Sequence, residues 1–184
     1  MNTNYSTQND LLLNNLLEFY KESNNMDKML NIINGKSSIS LRIIDWFATN
    51  YAKKNYTVYQ LEGSEKRFKV YNDYKLKLKA YSKRRFDPFC RWERITIPYN
   101  EESGIQTTIG QLNFFKWALE NNVIDYIEQK FKDIEADMNN RNSTSKNKKI
   151  DSNLNKTRKK REELSVSASK SIKKEKVEII LKFD

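Results

Sequence analysis

Apolar side chains in this chain recur at helical spacing up to residue 54, at every second residue from Phe68 to Ala80 apart from Asn72, and at helical spacing again from 108 to 138. An apolar face with period 3.6 cannot lie along a pleated strand, nor a period-2 face along a helix, so the switch confines the fold. The expected class is α+β: a single domain of helices packed on a small, mostly antiparallel sheet, followed by a flexible basic linker and a C-terminal strand. At 184 residues the chain has room for one core of ordinary size.

Local signals set the expected elements. The first nine residues are polar and are expected to be disordered; Asp10 can then cap a helix over about 10–22, with Leu12, Leu13, Leu16, Leu17 and Tyr20 on one side. A short helix over 26–34 ends at Gly35, where a left-handed cap is natural. Ser37 or Ser38 can cap a helix over 39–54, whose Ile39, Ile43, Trp46, Phe47 and Tyr51 share a face. YTVYQL reads as a strand over 57–61, and apolar residues at six of the seven period-2 positions from Phe68 to Ala80 favour a strand over 67–81. A helix with Tyr71, Tyr74, Leu78 and Tyr81 on one stripe competes for 71–85. ITIPY suggests a short edge strand at 94–98, since Pro98 cannot donate within a central one. Thr108 and Gln111 have capping-box spacing ahead of a helix over 108–119, and Ile124, Ile127, Phe131, Ile134 and Met138 mark another over 121–139. Asn, Lys and Ser dominate 139–156, the expected linker; a basic helix and the strand VEIILKF at 177–183 close the chain. The organisation is thus a variable 1–25, a core over 26–138, the linker, and a basic helix plus strand in 157–184.

Charge narrows the function. The net charge is +10, but Lys is far commoner than Arg and Asn is abundant, as in sequences drifting toward AT-rich codons. Drift would spread charge evenly. Instead residues 66–94 carry +8 and 141–176 carry +9, with −5 between them, so a polyanionic partner gains weight; pairing of acidic and basic blocks remains open. With one cysteine and no histidine, an internal disulfide, a Cys/His zinc site and Ser-His-Asp or Cys-His catalysis are all ruled out. Glycine-rich phosphate loops and nucleophile elbows are missing from the sequence. Asp87 and Glu93 match a metal-dependent nuclease in residue type but not in motif. No catalytic residue, metal ligand or cofactor is therefore assigned. No apolar run approaches the roughly 20 residues a spanning helix needs, and no leader pattern is seen, so an unexported protein without membrane partners is expected.

The densest mixture of bases and rings is KRFKVYNDYKLKLKAYSKRRFDPFCRWER, 66–94. Its nucleic-acid candidates are Lys75, Lys77, Lys79, Lys83, Arg84, Arg85, Arg91 and Arg94 for phosphates, with Tyr81 and Trp92 for stacking and Tyr74 also available. On a strand, Lys69, Lys75, Lys77 and Lys79 would form one basic stripe. The bland alternative places the aromatics in the core and the bases on a solvated face, with Arg91 or Arg94 pairing with Asp87 or Glu93. A second set, Arg158, Lys159, Lys160 and Arg161, resembles a polyanion-binding or nuclear-localisation run.

The strings LRIIDWFATNYAKK, YNDYKLKLKAYSKRRFDPFCR, TTIGQLNFFKWALENNVIDYIE, TRKKREELSVSASKSI and VEIILKFD are similar to a family of short basic proteins encoded by nucleocytoplasmic large DNA viruses, the iridovirus, mimivirus and marseillevirus assemblage. FDPFCR and GQLNFFKWA are the distinctive segments, and the likeness spans 26–184. The resemblance implies a viral protein acting in the host cytoplasm, in a viral factory, or in the particle; it supplies no catalytic or binding residues. The expected function is non-enzymatic nucleic-acid binding in replication, transcription or packaging, with DNA ahead of RNA. The alternative is a virion structural or scaffolding protein that meets other virion proteins through their acidic surfaces.

Overall fold

A computed structural model describes residues 7–21, 24–61, 63, 65–90, 92–100, 103–150 and 173–176. Helix α1 (Gln8–Lys21) starts at a reciprocal cap: the Thr7 hydroxyl accepts from the Asp10 amide, and Asp10 Oδ2 accepts from the Thr7 amide at 2.9 Å. Asp10 is thus the third helical residue and not the cap; its hydrogen bonds from Thr7 hold its carboxyl below the usual range. Helix α2 (Asn25–Ile33) ends in a Schellman turn, with Gly35 at φ 71° and the Lys36 amide bonded to Asn31 O at 2.8 Å.

The expected helix over 39–54 is three pieces of one rod: α3 (Leu41–Trp46), a π turn (Phe47–Tyr51) and α4 (Ala52–Lys54). Its cap is Ser40, which accepts from the Ile43 amide, while Ser37 accepts from Ile39 in the approach to it. Strand β1 (Val58–Gln60) pairs antiparallel with β2 (Arg67–Lys69) in a two-stranded ribbon.

From Val70 the chain departs from the expected strand. Residues 67–69 alone are extended, and Val70–Phe86 forms helix α5. The competing stripe wins because Val70 and Tyr74 are buried and Tyr71, Leu78 and Tyr81 half-buried, whereas Leu76, a strand-face position, is 65% exposed. Long-range bonds secure the arrangement: Trp117 Nε1 donates to Asp73 Oδ1 at 2.7 Å, and Tyr74, Phe86, Phe114 and Trp117 form a ring cluster with centroids 5.7–6.4 Å apart. At Ser82 the helix breaks, with φ 65° and ψ 166°.

Strand β3 (Arg94–Asn100) extends the expected edge strand and places Pro98 on it. Its partner β4 (Ser103–Thr108) was not expected as a strand; the cross-strand pair Ile97–Ile105 is buried and anchors the hairpin. Strand β5 (Lys173–Lys176) adds antiparallel to the other edge of β4, giving the order β3-β4-β5. Among the described residues there are therefore two small sheets where one was expected. The expected strand 177–183 and the basic helix from 157 lie outside the described residues.

Thr108 caps helix α6 (Ile109–Glu120) as its spacing with Gln111 indicates, accepting from the Gln111 amide at 3.2 Å. Helix α7 (Val123–Gln129) and helix α8 (Phe131–Ile150) replace one helix over 121–139. The apolar stripe holds across the break, since Ile124, Ile127, Ile134 and Met138 are buried. α8 also runs to Ile150, so the first part of the expected linker is helical. Both sheets and all the helices belong to a single α+β domain whose core runs from Leu16 to Met138.

Candidate nucleic-acid interface

Helix α5 rearranges the expected lysine stripe. Successive helical residues rotate by about 100°, so Lys75 and Lys79 lie about 40° apart on the exposed face beside Tyr71, while Lys77 is turned well away from both. Lys75, Lys79, Lys83 and Arg84 are exposed, and Lys77 and Arg85 are half-buried. The Arg94 guanidinium is exposed and donates to Gln106 Oε1 at 3.0 Å, not to a carboxylate. Arg91, Arg158, Lys159, Lys160 and Arg161 fall outside the described residues. The ion pairs seen among the described residues, Lys54–Asp137 and Lys116–Glu120, involve none of these bases.

The candidate stacking rings already have partners within the protein. Tyr81 lies nearly parallel to Phe86 with centroids 6.1 Å apart, the Trp92 ring sits 5.4 Å from the Arg84 guanidinium, and Tyr74 is in the core. The end of α5 that carries Arg84, and the turn that follows it at Asp87, are clamped by the start of α6. A Cβ on Gly110 would come within 2.9 Å of Asp87 O and 3.1 Å of Arg84 O, and Asn113 Nδ2 donates to Arg85 O at 2.9 Å. Asp87 Oδ1 accepts from the Phe89 amide at 2.9 Å and closes the turn from inside. FDPFCR and GQLNFFKWA, the two distinctive strings, are therefore the two sides of one backbone-to-backbone contact.

Next to this turn stands Asp45, a half-buried carboxyl on α3. Burial, and after it the negative charge of Asp87, push its pKa up to about 7. Among the described residues no three of His, Cys, Asp and Glu gather in a way that could hold a metal ion.

Sequence reasoning missed a second basic region. Where the end of the α3–α4 rod meets α8, Lys53, Lys54, Arg141, Asn50, Asn140 and Tyr56 line a concave groove of about 650 Å³ together with Thr49 and Asp137. Lys53 Nζ lies 5.6 Å from the Tyr71 ring, which joins this groove to the Lys75–Lys79 face of α5. Arg141 Nη1 donates to Asn50 Oδ1 at 3.2 Å, and its guanidinium lies 5.7 Å from the Trp46 ring. Asp137 accepts from Lys54 and from Trp46 Nε1 at 3.1 Å. The Lys54 hydrogen bond is the larger influence, and with Trp46 it holds the Asp137 carboxyl below its ordinary range against an opposing effect of burial. Arg141 lies in what read as linker, and Lys53 and Lys54 read as a helix end, so no local signal joined them.

Against known proteins, the model of a family of unknown function, DUF7197, matches residues 2–184. The chain belongs to that family. The match takes in the first 25 residues, which the viral likeness read from sequence had left out. This DUF7197 chain is also 46% identical over 131 residues to the uncharacterized protein L507 of Acanthamoeba polyphaga mimivirus, a match covering 67% of this chain and 51% of that one. The chain thus spans about half the length of the curated relative it matches, and that relative is a viral protein, as the resemblance implies. No solved structure matches this chain. No helix among the described residues is long and apolar enough to cross a membrane.

Proposed function

We propose that this viral family member is a non-enzymatic nucleic-acid-binding protein of replication, transcription or genome packaging, working in the host cytoplasm, in a viral factory or within the particle. One observation carries the reading: Lys75, Lys79, Lys83 and Arg84 are exposed along α5 and its continuation, with no carboxylate of the described residues paired to them. From Tyr71 to Lys79 the face is roughly 12 Å long at the helical rise, enough to follow a few phosphates. Lysines on one helix side hold a backbone electrostatically without reading sequence, so binding with little sequence preference is expected, DNA ahead of RNA.

Titrating labelled DNA and RNA at rising salt concentrations tests this. Binding should weaken with a log–log slope near −0.9 per phosphate neutralised on a duplex, and Lys75→Glu with Lys79→Glu should flatten that slope by about two while leaving the melting temperature unchanged. An absence of binding at low salt would refute the reading and favour a scaffolding role against acidic virion proteins.

A further inference from the structure

Tyr56 stands where the backbone would favour glycine. The α3–α4 rod ends in the same turn as α2: the Thr57 amide bonds to Ala52 O at 3.1 Å, just as the Lys36 amide bonds to Asn31 O, and the residue before each donor is left-handed. At the first of these turns that residue is Gly35, at φ 71°; at the second it is a tyrosine, at φ 48°. A side chain with a Cβ is disfavoured there, and a bulky ring gives nothing back, because Tyr56 is 87% exposed. The ring instead borders the groove lined by Lys53, Lys54, Asn50 and Arg141. The lysines have a structural account, since bases in a last helical turn offset its dipole and Lys54 meets Asp137. That account does not reach the ring.

Resting on the nucleic-acid reading above, we infer that this groove takes single-stranded nucleic acid, with one base stacked on Tyr56 and the adjoining phosphates held by Lys53, Lys54 and Arg141. A duplex keeps its bases inside and offers this ring none; a single strand offers a base face beside each phosphate, the pairing of features that the groove presents. Asn50 and Asn140 add polar groups for base edges or sugar hydroxyls without dictating a base. The strand then continues past Tyr71 along Lys75 and Lys79.

The test uses the full chain with fluorescent single-stranded DNA, single-stranded RNA and duplex DNA of equal length, comparing Tyr56→Gly and Tyr56→Phe. Tyr56→Gly should melt at the same or a higher temperature, because it relieves a left-handed tyrosine, yet bind single strands about tenfold more weakly; Tyr56→Phe should bind them within about twofold of the parent. Duplex affinity should be unchanged in both. A 5-iodouracil oligonucleotide should crosslink to the peptide holding Tyr56, and the relative strength of the DNA and RNA arms assigns the strand. If the parent binds single strands and Tyr56→Gly binds them equally well, the inference falls while the nucleic-acid reading stands. Equal loss on duplex and single strand also overturns it. If no nucleic acid binds, both fail.

Discussion

Gly110 has little freedom to change, because what its missing Cβ would meet is main chain. Asp87 O and Arg84 O cannot rotate aside as a side-chain tip would. Gly110→Ala should therefore destabilise the fold by about 2 kcal/mol in denaturant melts, even though Ala is the better helix former. It should also lower nucleic-acid affinity by displacing Arg84. Asp45 gives a prediction in pH. Its carboxyl titrates near 4 in an unfolded chain and near 7 in the folded one, so between those values the folded state holds a proton that the unfolded state has released. This group's contribution is complete below about pH 4 and is lost as the pH rises through 7. Melting temperature should fall across that window in the parent, and Asp45→Asn should remove most of the fall; an unchanged slope in the variant would locate the titration elsewhere. At this scale, sequence reading worked where the bond was local. Thr108 caps α6 as its spacing with Gln111 indicated, whereas Asp45 and Gly110 depend on Asp87, brought to them from elsewhere in the chain.

Helix α5 is the element that patterning misassigned. Its alternation of lysines with Tyr74, Leu76 and Leu78 fits a two-sided strand, and lysine is content in water on either structure, so the charged positions carried no information about period. What decides is the partner: Trp117 reaches Asp73, and Phe86 packs among Phe114 and Trp117, contacts that exist only once α6 is in place. The same limit hid β4, whose SGIQTT is weak as a strand until Ile105 faces Ile97. The break inside α5 invites a test. At φ 65° and ψ 166° Ser82 occupies a region suited to glycine. Ser82→Gly should stabilise the protein by about 1 kcal/mol, while Ser82→Val should cost more than that, both read from urea midpoints.

For the whole molecule, the α+β class is the one observed, but the period-2 stretch that argued for a sheet is mostly helix α5; the sheet content comes from shorter strands, of which the sequence marked those at 58–60, 67–69 and 94–100. The candidate site was half legible. Composition located the basic 66–94 block, but the strand reading placed Lys77 with Lys75 and Lys79, and neither could join Lys53, Tyr56 and Arg141, which lie far apart in the chain. The antiparallel pairing of β5 with β4 matters for the order of events when the chain folds. The β3–β4 hairpin closes over a few residues and can form early, while Ser103–Lys176 must wait for a loop of some seventy residues to close. In refolding followed by pulsed hydrogen exchange, amides that bond β3 to β4 should gain protection first. Those along the β4–β5 seam should follow in a later phase, and a chain cut after Ile150 should keep the first phase and lose the second.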